Sequence, residues 1–219
     1  MLNLPSTQSI EQSARAASTD ARTIERSDWR QALPVLAAEN VTLRALRQSD
    51  APTLLAMLTT EEVARFISPP PTTVEGFERF IRWTHEQQAA GRYICFGIVP
   101  AGRTDAVGLI QVRAIDATFS VAEWGFGIGS EFWGTGVFHA AARKVLDFTF
   151  AELPVHRVEA RAVTENVRGN GALRKLGASC DALLRGSFSR NGTHMDQVLW
   201  SIQRKDWLAG RVTPPAHVH

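Results

Sequence analysis

The chain has 219 residues, of which 44% are hydrophobic, and a formal net charge of +2. That is enough apolar material for one sizeable domain with tails, and the near-neutral balance argues against nucleic acid as a partner. No apolar run approaches the roughly 18 residues of a membrane helix, and MLNLPSTQSIEQ has neither the basic nor the apolar region of a secretory signal, so a cytoplasmic location with no membrane partner is expected.

Residues 1–27 are rich in Ser, Thr, Ala and Gln and read as a mobile tail. The domain is expected over 28–205, with a loop-like tail over 206–219. VTLRAL (41–46) alternates as a strand does. Ser49 is then placed to cap a helix with Ala51, Leu54, Leu55 and Leu58 on its apolar face. EEVARFI extends it until SPPP intervenes. Thr72 and Glu75 have the spacing of a capping box, and Val74, Phe77, Phe80, Ile81 and Thr84 follow at helical intervals. YICFGIV (93–99), VGLIQVR (107–113) and VAEWGFGI (121–128) read as three strands.

A helical stripe of Val137, Ala141, Val145 and Phe148 ends at Pro154, and VHRVEARAV (155–163) is a further strand. A short helix runs from about Asn166 to Lys175, with Gly177 as its C-terminal stop. Asn191-Gly192 marks a hairpin between Ser187–Arg190 and Thr193–Ile202. The order predicts a mixed α/β (α+β) domain with one central crossing helix. Cys95 and Cys180 make neither a disulfide framework nor a zinc site. Both lie in apolar stretches and are expected to be buried free thiols, and no metal is expected. Arg far outnumbers Lys, which occurs only at 144, 175 and 205, and Ala is abundant, a texture typical of a GC-rich bacterial genome.

EFWGTGVF (131–138) is the segment with most chemical content. A dinucleotide fingerprint would need a third glycine, but Gly134-Thr135-Gly136-Val137-Phe138 runs on to His139. A Walker loop would need Gly-Lys-Ser/Thr. Two readings remain on spacing alone. One is a backbone cradle for a diphosphate at the start of a helix; the other is a tight strand-to-helix turn.

Four stretches together, VTLRALRQSDA, AEWGFGIGSEFWGTGVFHAA, HRVEARAVTENVRGNGALRKLGA and DQVLWSI, resemble the GNAT superfamily of N-acetyltransferases, in particular the Rim-type branch that acetylates ribosomal-protein alanines. The resemblance spans residues 41 to about 203. It implies the GNAT acyl-CoA N-acyltransferase fold, a mostly antiparallel sheet splayed around the cofactor with flanking helices. It implies acetyl-CoA as the acetyl donor. The implied acceptor is a primary amine, either a protein N-terminal α-amine or a small molecule. Monomer and homodimer both stay open.

The family's phosphate-binding pattern falls on Glu131 to Gly136, so Trp133, Gly134, Thr135, Gly136, Val137 and Phe138 are the implied cofactor contacts. The pantetheine arm would lie along the strand edge at Phe126, Gly127 and Ile128. Gly127 replaces the usual aromatic residue, which would open the acceptor side or leave room for Trp124 or Trp133. Asn166 matches a pantetheine-binding asparagine, and otherwise caps its helix; Asn170 is a further cofactor contact. Glu123 is the candidate general base, on the same strand face as Gly125 and Gly127, in the family's A-E-x-G pattern. The alternative is an ion pair with Arg113 or Arg161.

Two departures concern the leaving thiolate. The family's Ser position is Gly169, and the short helix has no tyrosine; Tyr93, the only one in the chain, sits far upstream. These absences keep alive a rival reading, a non-catalytic acyl-CoA-binding or interaction module. Asp196 resembles a position that often lines the acceptor site. His139 and His156 read as bystanders.

Overall fold

The structure, a computed structural model, describes residues 28–212; the tail expected at 1–27 lies outside the described residues. The strands are β1 Leu36–Ala38, β2 Val41–Ala45, β3 Tyr93–Pro100, β4 Gly108–Ala114, β5 Val121–Ile128, β6 Arg157–Val163, β7 Ser179–Arg190 and β8 Thr193–Gln203. They form one eight-stranded sheet in the order β1-β2-β3-β4-β5-β6-β8-β7. The helices are α1 Ala51–Leu58, α2 Glu61–Ala64, α3 Val74–Ala89, α4 Val137–Glu152, α5 Val167–Lys175 and α6 Arg204–Val212. All neighbouring strands are antiparallel except β5 and β6. That pair is parallel because α4 crosses over between them. No helix among the described residues is long and apolar enough to cross a membrane.

Strand alternation divides the interior into two cores. Ile94, Phe96, Ile110, Val112, Ala122 and Trp124 point to one face and pack against Ala141, Val145 and Phe148 of α4. Tyr93, Cys95 and Leu109 point to the other face, where α1 supplies Leu54 and Leu58 and α3 supplies Phe77 and Ile81. The sheet is thus covered by α4 on one side and by α1 to α3 on the other.

Several local expectations change. The side chain that organises the start of α1 is Asp50, not Ser49. Asp50 is fully buried. It accepts the backbone N–H groups of Arg47 at 2.7 Å and Ala106 at 3.0 Å, and both its oxygens accept from the Arg44 guanidinium at 2.8 Å. Burial pulls its pKa upward, but the bonds from Arg44 and the two amides outweigh this and hold the carboxyl below the usual aspartate range. The pair fastens α1 to β2 and to the start of β4. EEVARFI is not an extension of α1 but a separate short helix, α2. The cap of α3 is Thr73, whose hydroxyl accepts from Gly76 N–H at 3.0 Å. The cap thus lies one residue later than Thr72, and the expected box with Glu75 does not form, because the residue three beyond Thr73 is Gly76, which has no side chain to bond back.

The end of the chain differs most. β7 begins at Ser179, well before Ser187, and carries an irregularity between Leu184 and Phe188. It is an edge strand with few buried residues, so its polar RGS stretch looks like a loop in the sequence. Of the tail expected over 206–219, residues 206–212 instead belong to α6, and 213–219 lie outside the described residues. Trp207 is buried, and its indole N–H donates to Asp147 Oδ1 at 2.9 Å. Cys95 is buried as expected, but Cys180 is exposed on β7.

Candidate active site

β5 and β6 pair only at Val121–Arg157, Ala122–Val158 and Glu123–Glu159. Beyond Glu123, β5 stays with β4 and β6 stays with β8, so the sheet opens into a V. The register decides which groups line it. Ile115 N–H donates to Val121 C=O, and Gly129 N–H donates to Val107 C=O, both at 3.0 Å. Antiparallel bonding alternates, so the odd residues of β5 turn their amides to β4. Trp124, Phe126 and Ile128 turn theirs to the opening. Of the expected edge, Phe126 and Ile128 therefore present N–H groups to the V, while Gly127 faces its partner Leu109.

The glycine loop stands at the head of α4. Gly134 and Gly136 have φ of +76° and +84°, a region that costs other residues about 1–2 kcal/mol. A Cβ at either would meet nothing within 4 Å, so the backbone there is open to approach. Ala140 N–H donates to Gly136 C=O at 3.0 Å as α4 begins. The amides ahead of it belong to the loop and first turn, where no intrahelical acceptor exists. Thr135 Oγ1 donates to Phe132 C=O at 2.7 Å and braces the loop. The Arg168 guanidinium lies 4.1 Å from the Trp133 ring, joining α5 to the loop. Val137 is buried, and Phe138 packs on Phe126 with ring centroids 4.5 Å apart. Those two residues can offer an anion only their amides, and that of Val137 already donates to Thr135 Oγ1 at 3.4 Å. Successive outward N–H groups at a helix N-terminus form an anion cradle.

A cavity of about 720 Å³ lies on the α1–α3 face of the sheet. The Phe66–Pro71 loop, Phe80 and Trp83 wall one side. Its floor includes Tyr93, Gln111, Arg113, Glu123, Gly125 and Gly127, and its far wall Asn166, Gly169, Phe188 and Gln197. Glu123 is gripped on both oxygens: Arg161 Nη1 donates to Oε1 at 2.7 Å and Arg113 Nη2 donates to Oε2. Both arginines named from the sequence as ion-pair partners are therefore engaged, in the cavity where a base would act. Gly125 leaves space that the Gln111 side chain fills. Gln111 Oε1 in turn accepts from the Tyr93 hydroxyl. Burial pushes the Tyr93 phenol above its ordinary pKa.

A Cβ on Gly127 would sit 3.4 Å from Leu58 and 3.8 Å from Ile67. The space it leaves faces the α1–α3 layer and not Trp124 or Trp133. Tyr93, distant in sequence, joins the cavity because β3 pairs with β4, setting Tyr93 beside Arg113 and Arg113 beside Glu123. Only strand pairing brings these three together, so no local pattern could reveal that Tyr93 joins Arg113 and Glu123.

The two asparagines divide. Asn166 Oδ1 accepts from Gly169 N–H at 2.8 Å, a helix cap, and the residue also faces the cavity. Asn170 is buried and its amide is engaged throughout: Nδ2 donates to the carbonyls of Val163 and Asn166 at 2.9 Å, and Oδ1 accepts from Trp200 Nε1 at 2.8 Å. It fixes the β6–α5 corner, and its side chain is not available to a cofactor. A Cβ on Gly169 would fall 2.5 Å from Asn166 Nδ2, so the cap itself occupies the place of the family's serine. Asp196 Oδ1 accepts from Gly186 N–H at 2.7 Å and holds the bend of β7 instead of lining the cavity. The β7–β8 hairpin also crosses to the opposite wall, where Arg190 Nη1 donates to the carbonyls of Ala64 and Ile67.

A parallel β5–β6 pair that splays beside a glycine loop defines an acyltransferase-like architecture. The family described as Acetyltransferase (GNAT) domain matches residues 40–179, and the chain belongs to it. Among curated relatives, the Uncharacterized N-acetyltransferase p20 of Bacillus licheniformis is 26% identical over 176 residues, covering 80% of this chain and 99% of the relative. The Spermidine N(1)-acetyltransferase of Escherichia coli (strain K12) is 26% identical over 181 residues, covering 81% of this chain and 93% of that protein. Among solved structures, RimL, the ribosomal L7/L12 alpha-N-protein acetyltransferase in complex with coenzyme A, superposes with a TM-score of 0.71 at 15% identity, covering 78% of this chain and 98% of RimL. That likeness is one of fold.

Proposed function

We propose that this chain transfers an acetyl group from acetyl-CoA directly to a primary amine. The observation that carries the reading is the splayed edge of β5, whose Phe126 and Ile128 amides face an opening that leads to the glycine loop at Gly134 and Gly136. The loop amides would receive the diphosphate of the donor. The β5 edge would hold its pantetheine arm, with one N–H able to stabilise charge developing on the thioester oxygen. Asn166 at the far wall is within the same cavity and supports the arm.

The amine attacks the thioester carbonyl, a C–N bond forms, the C–S bond breaks, and coenzyme A leaves as thiolate. An amine is mostly protonated near neutral pH, so it must lose a proton first. Glu123 takes that proton, through water, since guanidinium groups already hold both of its oxygens. The thiolate takes its proton from water: the Asn166 cap fills the serine position, and the Tyr93 phenol is held above its ordinary pKa and bonded to Gln111.

The acceptors of two similar proteins, spermidine N(1) and the α-nitrogen of ribosomal L7/L12, are both amines, which supports this acceptor class. Calorimetry with coenzyme A, paired with thiol release from acetyl-CoA across a panel of amines, tests the reading. Binding with acceptor-dependent release is expected. Absence of binding would refute the reading, and binding with no release from any amine would favour the non-catalytic module.

A further inference from the structure

The acceptor cavity has an unusual charge for a site that takes a cationic polyamine. Its charged lining residues among the described ones are Arg113, Arg161 and Glu123, two positive against one negative. Glu123 is not presented alone to a substrate ammonium, because a guanidinium holds each of its oxygens. The arginines are different. Each guanidinium has five N–H donors in a planar fork, and each directs one nitrogen to Glu123. Their side chains are 57% and 39% exposed, against 21% for Glu123, so the outward part of the cluster is guanidinium. Glu123 thus acts as the hub that sets two arginines side by side, a geometry suited to a carboxylate.

One wall of the cavity is aromatic. Trp83 is 42% exposed, yet it is held in place by Tyr93, edge to face at 4.9 Å, and by Phe80, stacked at 6.2 Å. A large ring left open at a cavity mouth and braced from two sides is a surface for an apolar body. The volume, about 720 Å³, suits a small molecule.

Resting on the acetyltransferase reading above, we propose that the acceptor is a small primary amine bearing a carboxylate and an apolar or aromatic body, the carboxylate held by Arg113 and Arg161 and the body by Trp83, all of which line the one cavity. Hydrophobic α-amino acids have this chemistry. Polyamines do not, and the two arginines repel them. The amine nitrogen then lies near Glu123, and the carboxylate completes the charge balance of the cluster.

The test measures thiol release from acetyl-CoA by the full-length chain with phenylalanine, tryptophan and leucine. Their amides keep the amine and side group but lack the carboxylate; spermidine and an alanine-initiated peptide complete the panel. The free acids should exceed their amides and spermidine by about tenfold or more in kcat/KM, the scale of one lost charge-assisted bond. Arg161→Gln should raise KM for the free acids by a similar factor and shrink the acid-to-amide ratio; Arg161→Lys should restore part of it. Trp83→Ala should raise KM for tryptophan more than for leucine. A preference for spermidine, for the amides or for the peptide overturns the proposal, as does an Arg161→Gln variant whose acid-to-amide ratio is unchanged. No release from any free acid overturns it too. Coenzyme A binding by calorimetry and release with every amine of the panel, followed in parallel, separate these outcomes from failure of the acetyltransferase reading, which predicts either no binding or binding without release from any amine at all.

Discussion

The glycine loop and the cavity beneath Trp83 sit close together in space but are made of different material. The loop works through backbone. Its backbone is open to approach because two glycines adopt positive φ with nothing near them and a helix begins there, and Thr135 braces it from within. The cavity works through side chains drawn from β3, β4, β5, β6, α1, α3, the Phe66–Pro71 loop and the β7–β8 hairpin. A backbone site is encoded by a short contiguous pattern and can serve a constant ligand part such as a diphosphate. A side-chain site assembled across many elements can vary without disturbing the loop. The difference suggests where this chain is generic and where it is particular.

The cavity half also depends on a scaffold the loop does not need. Asp50 and Arg44 fasten α1, which brings Leu58 to the cavity. Asp50→Ala would leave a buried guanidinium unpaired, and chemical denaturation should show a loss of about 3–5 kcal/mol. The contribution has a pH signature. Because the folded carboxyl lies below its ordinary value, the stabilisation is fully present above the unfolded aspartate pKa of about 3.9 and is lost as pH falls through the folded value. The gap between wild type and variant should therefore narrow on acidification. A constant gap would mean that the charge of Asp50 contributes nothing and that only its packing stabilises the fold, because its bonds to Arg44 and to the two backbone amides all weaken on protonation.

Glu123 lies at the meeting point of the two halves, and its replacement asks which half it serves. Glu123→Gln keeps the shape and removes the charge. As a proton acceptor its loss should lower kcat by about 10²–10⁴-fold and alter the acidic limb of the pH–rate profile, with coenzyme A affinity retained. If kcat holds and only the acceptor KM rises, the carboxylate is an anchor for Arg113 and Arg161, and the amine loses its proton to bulk water.

What the sequence disclosed follows the same division. The loop was legible because Gly134 and Gly136 bear on consecutive backbone amides. β5 was legible because VAEWGFGI alternates without interruption. Glu123 and its two arginines could be named, but not that both would bind it at once, since that depends on β4 and β6 flanking β5. Tyr93 was set aside as distant when sheet pairing brings it beside Arg113. β7 was cut short because an edge strand buries little. α6 was missed because a single buried residue, Trp207, ties it to Asp147 on α4 across sixty positions.

The loop half is best broken at Gly134. Its φ of +76° is one that a β-branched residue adopts only under strain, and a Cβ there would project into open space. Gly134→Val should weaken coenzyme A binding by about tenfold, the equivalent of the roughly 1–2 kcal/mol strain. The acceptor preferences of the cavity should stay as they were, because no cavity side chain touches the loop glycine. Unchanged calorimetric affinity would remove the diphosphate from this loop.

The smallest effect is expected from the cysteines, and it bears on whether the two halves act together or in turn. In direct transfer both substrates occupy the site at once, so no protein nucleophile carries the acetyl group. Cys95 is buried, and burial pushes its thiol above the ordinary range; a thiol nucleophile needs the opposite, exposure and a lowered pKa. Cys180 is exposed, contrary to the sequence-based expectation, but it lies on β7 opposite Trp200 and outside the cavity lining. A Cys95→Ala, Cys180→Ala double variant should therefore keep its kcat, and initial-velocity plots against both substrates should intersect. Parallel lines, or an acetyl-cysteine trapped and located by mass spectrometry, would show the halves working in sequence through a covalent carrier. The single variants would then locate it. A carrier at Cys180 would require the β7–β8 hairpin to leave the position that Arg190 now holds by its bonds to Ala64 and Ile67.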